Sequence, residues 1–263
     1  MQYGAMNFPV MPVIAEIEAF AGLSFDYLEL TMDPPQAHYT IIQQHKDRIM
    51  KILNRYSMGV MCHLPTFVYT ADLAESIRKA SVDEIMKSLD AAAEIGVRKA
   101  VLHPSMASGM SVYMIDIVKE YFNEFLSEVV AQADRKGITL CLENMFPRYH
   151  SFFEPEDFVK VFEQFPSLRL TLDVGHANIG DKNGRRSLDF IEIFGDRIGH
   201  IHVSDNEGKR DDHIPVGRGT VNFPRIIKAL KNIGYADTVT FEIFTEERYD
   251  LKSSREKFND MLG

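Results

Sequence analysis

The chain has 263 residues, of which 45% are hydrophobic and 25% charged, a composition typical of globular proteins. The formal net charge of −9 argues against a broad nucleic-acid-binding surface, because phosphate binding usually requires a basic patch. No apolar run approaches the roughly 18 residues of a membrane helix, and the first ten residues do not resemble a signal peptide. Cys62 and Cys141 lie inside predicted strands as buried thiols, so we expect a cytoplasmic protein without a membrane segment.

Short apolar runs typical of β-strands alternate with longer segments of helical periodicity along the whole chain. We predict strands at residues 3–8, 25–32, 58–63, 99–103, 138–143, 168–173, 198–203 and 238–243. We predict helices near residues 12–22, 38–56, 73–96, 112–136, 154–165, 187–194, 223–233 and 248–262. Eight strand–helix pairs without a linker predict one domain over residues 1–263, an α/β fold of the (β/α)8 or TIM barrel type.

Metal-capable side chains stand at the ends of six predicted strands, and three more follow two of these strands. They are His63, His103, Glu143, Asp173, His176, His202, Asp211, His213 and Glu242. In a parallel barrel the carboxyl ends of all strands meet on one face, where barrel enzymes hold their active sites. Within the run ITLCLE, Glu143 shares a face with Cys141 while Leu142 points to the other, so the polar side chains face the barrel interior.

The chemistry of these side chains predicts a metal centre. Carboxylates and imidazoles without thiolates suit zinc, manganese, iron or cobalt, and we expect zinc or manganese. One open site would be formed by Glu143, Asp173, His202 and Glu242. The other candidates would extend it to two or three ions: His63, His103, His176, Asp211 and His213. Such ions activate water or hold phosphate oxygens, or they polarise a sugar carbonyl and hydroxyl.

Substrate contacts are assigned to four residues: His63, His176, Asp205 and Arg210. The two histidines take this role where they are not metal ligands. Asp205 has the alternative of orienting His202 or capping its loop, and Arg210 that of a solvated loop residue. His200 is expected to be a core residue in the layer beneath His202.

Seven stretches from the third strand onward carry further motifs. They are HLPTF (63–67), LHPS (102–105), LENM (142–145), TLDVGHAN (171–178), HIHVSDN (200–206), DDHIPVGRGTVNF (211–223) and FEIF (241–244). Together they resemble the xylose-isomerase-like TIM barrel superfamily, which includes sugar-phosphate isomerases and epimerases and also endonuclease IV.

This resemblance implies roles for the candidate residues. In the isomerase and epimerase branch the metal ligands would be Glu143, Asp173, His202 and Glu242, and the catalytic pair Glu143 and Glu242 would move the proton at the substrate carbon. The similarity to endonuclease IV, of AP endonuclease family 2, adds five ligands. These are His63, His103, His176, Asp211 and His213, which complete the nine positions of a trinuclear zinc site.

The sequence departs from endonuclease IV in its loops. After Glu143 comes Asn-Met-Phe-Pro instead of the Asn-Thr-Ala-Gly-Gln-Gly stretch of the nuclease. The loops MDPPQAHY and LPTFVYT after the second and third strands have little basic character to hold DNA.

We therefore predict a divalent-metal-dependent isomerase or epimerase acting on a small sugar or sugar phosphate. The alternative is a zinc phosphodiesterase of the AP endonuclease type with a di- or trinuclear site, and a third is a metal-bearing barrel that only binds a partner. Nucleic acid is not the expected partner, and a homo-oligomer is compatible with the sequence.

Overall fold

In the computed structural model, which describes residues 1–245 and 247–263, eight parallel strands form a closed barrel in sequence order. The strands are β1 Gln2–Met6, β2 Tyr27–Thr31, β3 Gly59–His63, β4 Lys99–Leu102, β5 Thr139–Glu143, β6 Arg169–Asp173, β7 Ile198–Val203 and β8 Thr238–Phe241. The first and last strands pair with each other and close the barrel. The predicted TIM barrel fold is confirmed.

Helices follow the strands, and all of them except the short α6 lie on the outside of the barrel. They are α1 Val13–Ala21, α2 Tyr39–Tyr56, α3 Glu75–Glu94, α4 Ile115–Lys136, α5 Glu156–Gln164, α6 Val174–Asn178, α7 Arg186–Phe194, α8 Phe223–Asn232 and α9 Tyr249–Leu262. Helix α4 begins later than predicted because residues Gly109–Tyr113 form a separate 3-10 turn. Among the described residues, no helix combines the length and apolar character needed to span a membrane.

The short helix α6 is the one helix of the described residues that the sequence patterns did not predict. It begins directly after β6, where Asp173 occupies the N-cap position and its Oδ1 accepts a hydrogen bond of 2.6 Å from the His176 backbone N–H. An N-cap carboxylate satisfies a free amide of the first turn, which allows such a short helix to form. The turn brings His176 back over the end of the barrel.

The two faces of each strand have different environments. The outward residues, such as Leu140 and Leu142 on β5, belong to the large apolar core between barrel and helices. The inward side contains a small apolar cluster of Tyr27, Met61 and Val101. Beyond this cluster most of the buried inward residues are polar, and they include Glu29, Glu143, Thr171, His200, His202 and Thr240. The interior of the barrel therefore ends in a polar layer at the carboxyl ends of the strands.

Asp205 organises the long loop between β7 and α8. Its backbone pairs with Ile214 through hydrogen bonds of 2.9 and 3.0 Å. Its Oδ2 accepts from the amides of Gly217 and Gly219, both at 2.9 Å. Its Oδ1 accepts from the amides of Asn206 at 2.9 Å and Val221 at 3.1 Å. One buried carboxylate thus fixes both ends of the loop segment that carries Asp211 and His213.

We predict that Asp205→Asn lowers the free energy of unfolding by about 3 kcal/mol, because hydrogen bonds to a charged acceptor contribute roughly 1.5–3 kcal/mol each. An asparagine keeps one acceptor oxygen but turns an NH2 group toward two backbone donors. The measurement is urea unfolding of the metal-free protein followed by circular dichroism.

The matched control is Asp212→Asn on the same loop, since Asp212 pairs at 3.2 Å with Arg210, whose side chain is 83% exposed. Exposed ion pairs contribute little, so we expect a change below about 0.5 kcal/mol. Equal stabilities of the two variants would contradict the role given to Asp205.

Candidate metal centre

Four of the candidate ligands converge at the carboxyl ends of β5 to β8. One ligand atom of each lies within 4.8 Å of the others; the residues are Glu143, Asp173, His202 and Glu242. Glu143, Asp173 and His202 are fully buried, and Glu242 is 9% exposed. The four strands are neighbours in the barrel, and their inward parity directs one side chain at, or just past, each carboxyl end to a common point.

Glu143 lies at the middle of the histidines. The Nε2 atoms of His63 and His103 are 3.3 and 3.0 Å from its Oε2. On the other side, His202 Nδ1 and His176 Nδ1 are 3.2 and 3.3 Å from its Oε1. One carboxylate therefore bridges two groups of imidazoles, a position in which it could bind two ions at once.

A second carboxylate, Asp211, joins two further imidazoles. Its Oδ2 is 3.1 Å from His176 Nε2 and 2.9 Å from His213 Nε2. Asp211 and His213 are supplied by the loop that Asp205 organises, and His176 by α6. All nine candidate ligands thus form three adjoining groups, centred on Glu143 Oε2, on Glu143 Oε1 and on Asp211 Oδ2.

One ring nitrogen of several imidazoles lies against a backbone carbonyl. His63 Nδ1 is 2.9 Å from Leu64 O, and His176 Nδ1 is 2.9 Å from Asn144 O. His213 Nδ1 is 3.1 Å from the backbone oxygen of Glu242. A carbonyl only accepts, so these Nδ1 atoms carry the proton, and in the neutral rings Nε2 keeps a free lone pair. This arrangement is typical of histidines that bind metal ions.

Several buried polar atoms of the centre have no hydrogen-bond partner among the described residues. They are Asp173 Oδ2, Asp211 Oδ1, Glu242 Oε2 and His103 Nδ1. Glu242 Oε2 lies 3.0 Å from His202 Nδ1, but without the geometry of a hydrogen bond. Leaving a buried carboxylate oxygen without a partner is unfavourable, and a cation between the oxygens would satisfy them. The residues present fit a divalent metal ion.

Glu29 on β2 belongs to the same polar layer, and the sequence patterns did not single it out. It is fully buried, its Oε1 lies 3.0 Å from His202 Nε2, and its Oε2 lies 3.0 Å from His200 Nε2. The available signal was its inward parity, since Tyr27, Glu29 and Thr31 alternate with the outward leucines of YLELT. Because Glu29 lies two residues before the end of β2, the pattern of metal-capable strand ends does not include it.

Mutual attraction of acids and imidazoles shifts the proton affinities of the centre. Burial alone would lower the pKa of His202, but the carboxylates around it, chiefly Glu29 and Glu143, raise that pKa well above its ordinary value. For His63, burial is likewise outweighed by Glu143, and its pKa rises to about 8. The protons on these imidazoles supply the positive charge that a divalent ion would otherwise bring to the carboxylates.

A cavity of about 270 Å³ opens onto the centre. Its polar wall includes His63, His103, His176, Asp211, His213 and Glu242. Its apolar wall is formed mainly by Phe8, Phe67, Met145, Phe146, Tyr149 and Phe244. The described residues that line it include no lysine and no arginine. The cavity therefore combines an acidic and imidazole floor with an aromatic side.

The two remaining substrate candidates lie elsewhere. Asp205 is fully buried, both of its carboxylate oxygens are bonded to loop amides, and it does not line the cavity. Of the two other roles named for it, these contacts agree with capping its own loop and not with orienting His202. Arg210 is exposed and paired with Asp212, and it does not line the cavity. His200 is a fully buried residue beneath the centre, as expected.

Comparison with known proteins places the chain among related barrels. An uncharacterised protein of Methanocaldococcus jannaschii is 29% identical over 250 residues, which cover 92% of this chain and 83% of that protein. The L-ribulose-5-phosphate 3-epimerase UlaE of Escherichia coli is 24% identical over 255 residues, which cover 91% of this chain and 85% of the epimerase. The crystal structure of a D-tagatose 3-epimerase-like protein matches with a TM-score of 0.87 and 25% identity, over 100% of this chain and 97% of that one.

The family relationship rests on the length of the match as well as on the shared barrel. The family model described as xylose isomerase-like TIM barrel matches residues 17–261, nearly the whole chain. The resemblance recognised in the motifs between the third and eighth strands is confirmed. The chain belongs to the family of xylose isomerase-like TIM barrels.

Proposed function

We propose that this protein is a divalent-metal-dependent isomerase or epimerase of a small sugar. The observation that carries the proposal is the convergence of Glu143, Asp173, His202 and Glu242, with buried carboxylate oxygens left unpaired, at the mouth of the barrel. The names of the relatives support a sugar substrate, since they include a ribulose-phosphate epimerase and a tagatose-epimerase-like protein.

The residues of the central group would hold the ion through three carboxylates and His202 Nδ1. A divalent ion bound there would polarise neighbouring carbonyl and hydroxyl oxygens of the sugar, and so acidify the hydrogen on the carbon between them. The aromatic side of the cavity would pack on the apolar face of the sugar ring or chain and exclude water.

Glu143 and Glu242 are the proposed proton-transfer pair. Glu242 lines the cavity and reaches the substrate directly, whereas Glu143 lies deeper and contacts His63 and His103. Burial would raise the pKa of Glu242, but His213 and His202 outweigh it and lower that pKa, so the carboxylate is ionised at neutral pH and able to accept a proton. Epimerisation needs a proton removed on one face of the carbon and returned on the other, which suits two carboxylates.

The charge of the cavity favours an unphosphorylated sugar. A phosphate carries up to two negative charges and usually binds to arginine, lysine or a helix N-terminus. The described lining of this cavity instead contains Asp33, Asp211 and Glu242 without a lysine or arginine. Carboxylates would repel a phosphate that was not bound to the metal, whereas they accept hydrogen bonds from sugar hydroxyls.

Phosphodiester hydrolysis is the second candidate. The specific observation in its favour is the pair of additional groups, His63 and His103 at Glu143 Oε2, and His176 and His213 at Asp211 Oδ2. Two or three ions held there would generate hydroxide and stabilise a leaving oxygen. The aromatic and acidic mouth, together with the net charge of −9, disfavours a nucleic-acid substrate.

We predict that Glu242→Gln lowers kcat by about 10²–10⁴, the usual contribution of a positioned base, while zinc or manganese binding persists. Glutamine keeps the size and one ligating oxygen but accepts no proton. In deuterated water, wild-type protein should place deuterium at the carbon next to the carbonyl of a ketose, and the variant should not. Glu143→Gln should lose turnover in the same way, with some loss of metal affinity because of its four imidazole contacts.

The control for proton transfer is Glu18→Gln, which alters an exposed pair with Arg48 between α1 and α2 and should retain exchange. Cleavage of abasic DNA by the wild-type protein, with no deuterium uptake from any ketose, would overturn this proposal and favour the second candidate.

The number of zinc ions bound per chain tests whether a second group of candidate ligands also holds an ion. We predict that zinc-loaded wild-type protein holds more than one ion per chain, with a second position at His103 and Glu143. His103→Ala should lower the maximum content by one ion and leave the central group intact. Elemental analysis after loading and desalting measures this, with His45→Ala on α2 as the control. A wild-type content that never exceeds one ion would count against the second position.

Substrate charge gives a further test. We predict that kcat/KM is at least about tenfold higher for a free ketose than for its phosphate, since an unpaired buried charge costs more than the ~1.4 kcal/mol that corresponds to a factor of ten. Arg210→Ala should leave kcat/KM for the free ketose unchanged because this side chain is exposed on its loop. A preference for the phosphate that disappears in Arg210→Ala would reverse the assignment and return Arg210 to the substrate site.

A further inference from the structure

Glu29 contacts the proposed ligand His202 on the ring nitrogen that faces away from the central carboxylates. Its Oε1 is 3.0 Å from His202 Nε2, while the other ring nitrogen, His202 Nδ1, lies 3.0 Å from Glu242 Oε2 and 3.2 Å from Glu143 Oε1. Glu29 itself does not line the cavity. Building on the metal site of the proposed function, we infer that Glu29 is a positioning residue that makes His202 Nδ1 a metal ligand.

The inference follows from the single proton of a neutral imidazole. Each oxygen of the Glu29 carboxylate faces one imidazole nitrogen, Oε1 at 3.0 Å from His202 Nε2 and Oε2 at 3.0 Å from His200 Nε2. A carboxylate only accepts hydrogen bonds, so His202 donates through Nε2–H. In the neutral ring the lone pair is then on Nδ1, which faces the central carboxylates. Without Glu29 the ring could carry its proton on Nδ1, where the N–H would point at the position of the ion.

Glu29 is in turn held by a chain of hydrogen bonds whose directions are fixed. Lys99 Nζ donates to Thr238 Oγ1 at 2.9 Å, because an ammonium only donates. Because His200 Nε2 faces the Glu29 carboxylate, the neutral ring carries its lone pair on Nδ1, and the Thr238 hydroxyl, 2.8 Å away, donates to it. His200 Nε2–H then donates to Glu29 Oε2 at 3.0 Å. Every donor along this chain points toward Glu29, which therefore receives His200 on one oxygen and His202 on the other.

The chain crosses the barrel interior, from the start of β4 and β8 to the end of β7. Lys99 begins at the opposite rim, where it also contacts Asp237 at 2.8 Å and Gly199 O at 2.7 Å. His200 and Glu29 are fully buried, and Thr238 is 9% exposed. The Glu29 carboxylate is thus oriented by a chain of hydrogen bonds that starts at the amino ends of β4 and β8. This arrangement fixes the His202 ring before a metal ion binds.

Glu29, His200 and His202 also lie close enough together to hold an ion themselves. Two features argue for hydrogen bonds instead. Each Glu29 oxygen contacts a different imidazole at 3.0 Å, an ordinary hydrogen-bond distance. An ion at this point would also require His202 to bind metals through both nitrogens, and therefore to lose both ring protons. The two readings differ in metal count, which the experiment below uses.

The test compares Glu29→Gln with wild type by competition for zinc against a chromogenic chelator, without substrate. Replacing a partner of a metal-binding histidine usually costs 10–100-fold in affinity, and we expect about that loss at an unchanged maximum number of ions. The visible spectrum of the cobalt-loaded variant should differ from that of wild type, since the spectrum reports the ligand field. Glu29→Ala should lose more affinity than Glu29→Gln, because glutamine retains one accepting oxygen.

Two further variants keep the inference open to refutation. Glu16→Gln alters another buried glutamate, which accepts from the Phe8 amide at 3.0 Å, and should leave zinc affinity unchanged. Thr238→Val removes the hydroxyl that holds His200 and should reduce zinc affinity at least about threefold, even if Glu29→Gln does not fold. Wild-type affinity in a folded Glu29→Gln or in Thr238→Val would refute the positioning role. Loss of one whole ion would make Glu29 a ligand instead, and a wild-type protein that binds no metal would refute the proposed function itself.

Discussion

The burial of acidic side chains at one end of the barrel is the constraint on which the rest of the site depends. Glu29, Glu143 and Asp173 are fully buried and Glu242 nearly so. Unpaired carboxylates in a protein interior are strongly unfavourable, and like charges at this distance repel one another. In the structure, imidazoles lie between these carboxylates. The negative charge of the centre is neutralised only when protons on the imidazoles or metal ions supply positive charge.

Barrel closure and one loop together determine which atoms meet. Parallel closure directs the last inward side chain of every strand to the same end, and this is enough for Glu143, Asp173 and His202. The third group depends on Asp211 and His213, whose loop is bonded through backbone amides on both sides of them to a single carboxylate, Asp205. The strands therefore position Glu143, Asp173 and His202 directly. The positions of Asp211 and His213 depend instead on one buried acid, Asp205.

The same nine candidate ligands would permit two chemistries, and the charge and apolar character of the surrounding residues distinguish them. A multinuclear centre suits phosphodiester hydrolysis, but the aromatic side of the cavity and its acidic floor suit a small neutral molecule. Fold membership does not choose between them, because one barrel family supports many reactions through its loops. The charge of the lining residues is the more direct guide to the substrate.

The amino-acid sequence by itself determined the barrel, its strand ends and the nine metal-capable residues, because strand alternation is a local property with a period of two. The tertiary structure alone decided what Glu29 and Asp205 do. Glu29 is 173 residues from His202, and their contact depends on barrel closure rather than on spacing. Asp205 stands beside candidate ligands in the sequence, yet its carboxylate points into its own loop. Which ring nitrogen of His63, His202 and His213 faces the centre was likewise decided by carbonyl and carboxylate partners that only the folded chain brings together.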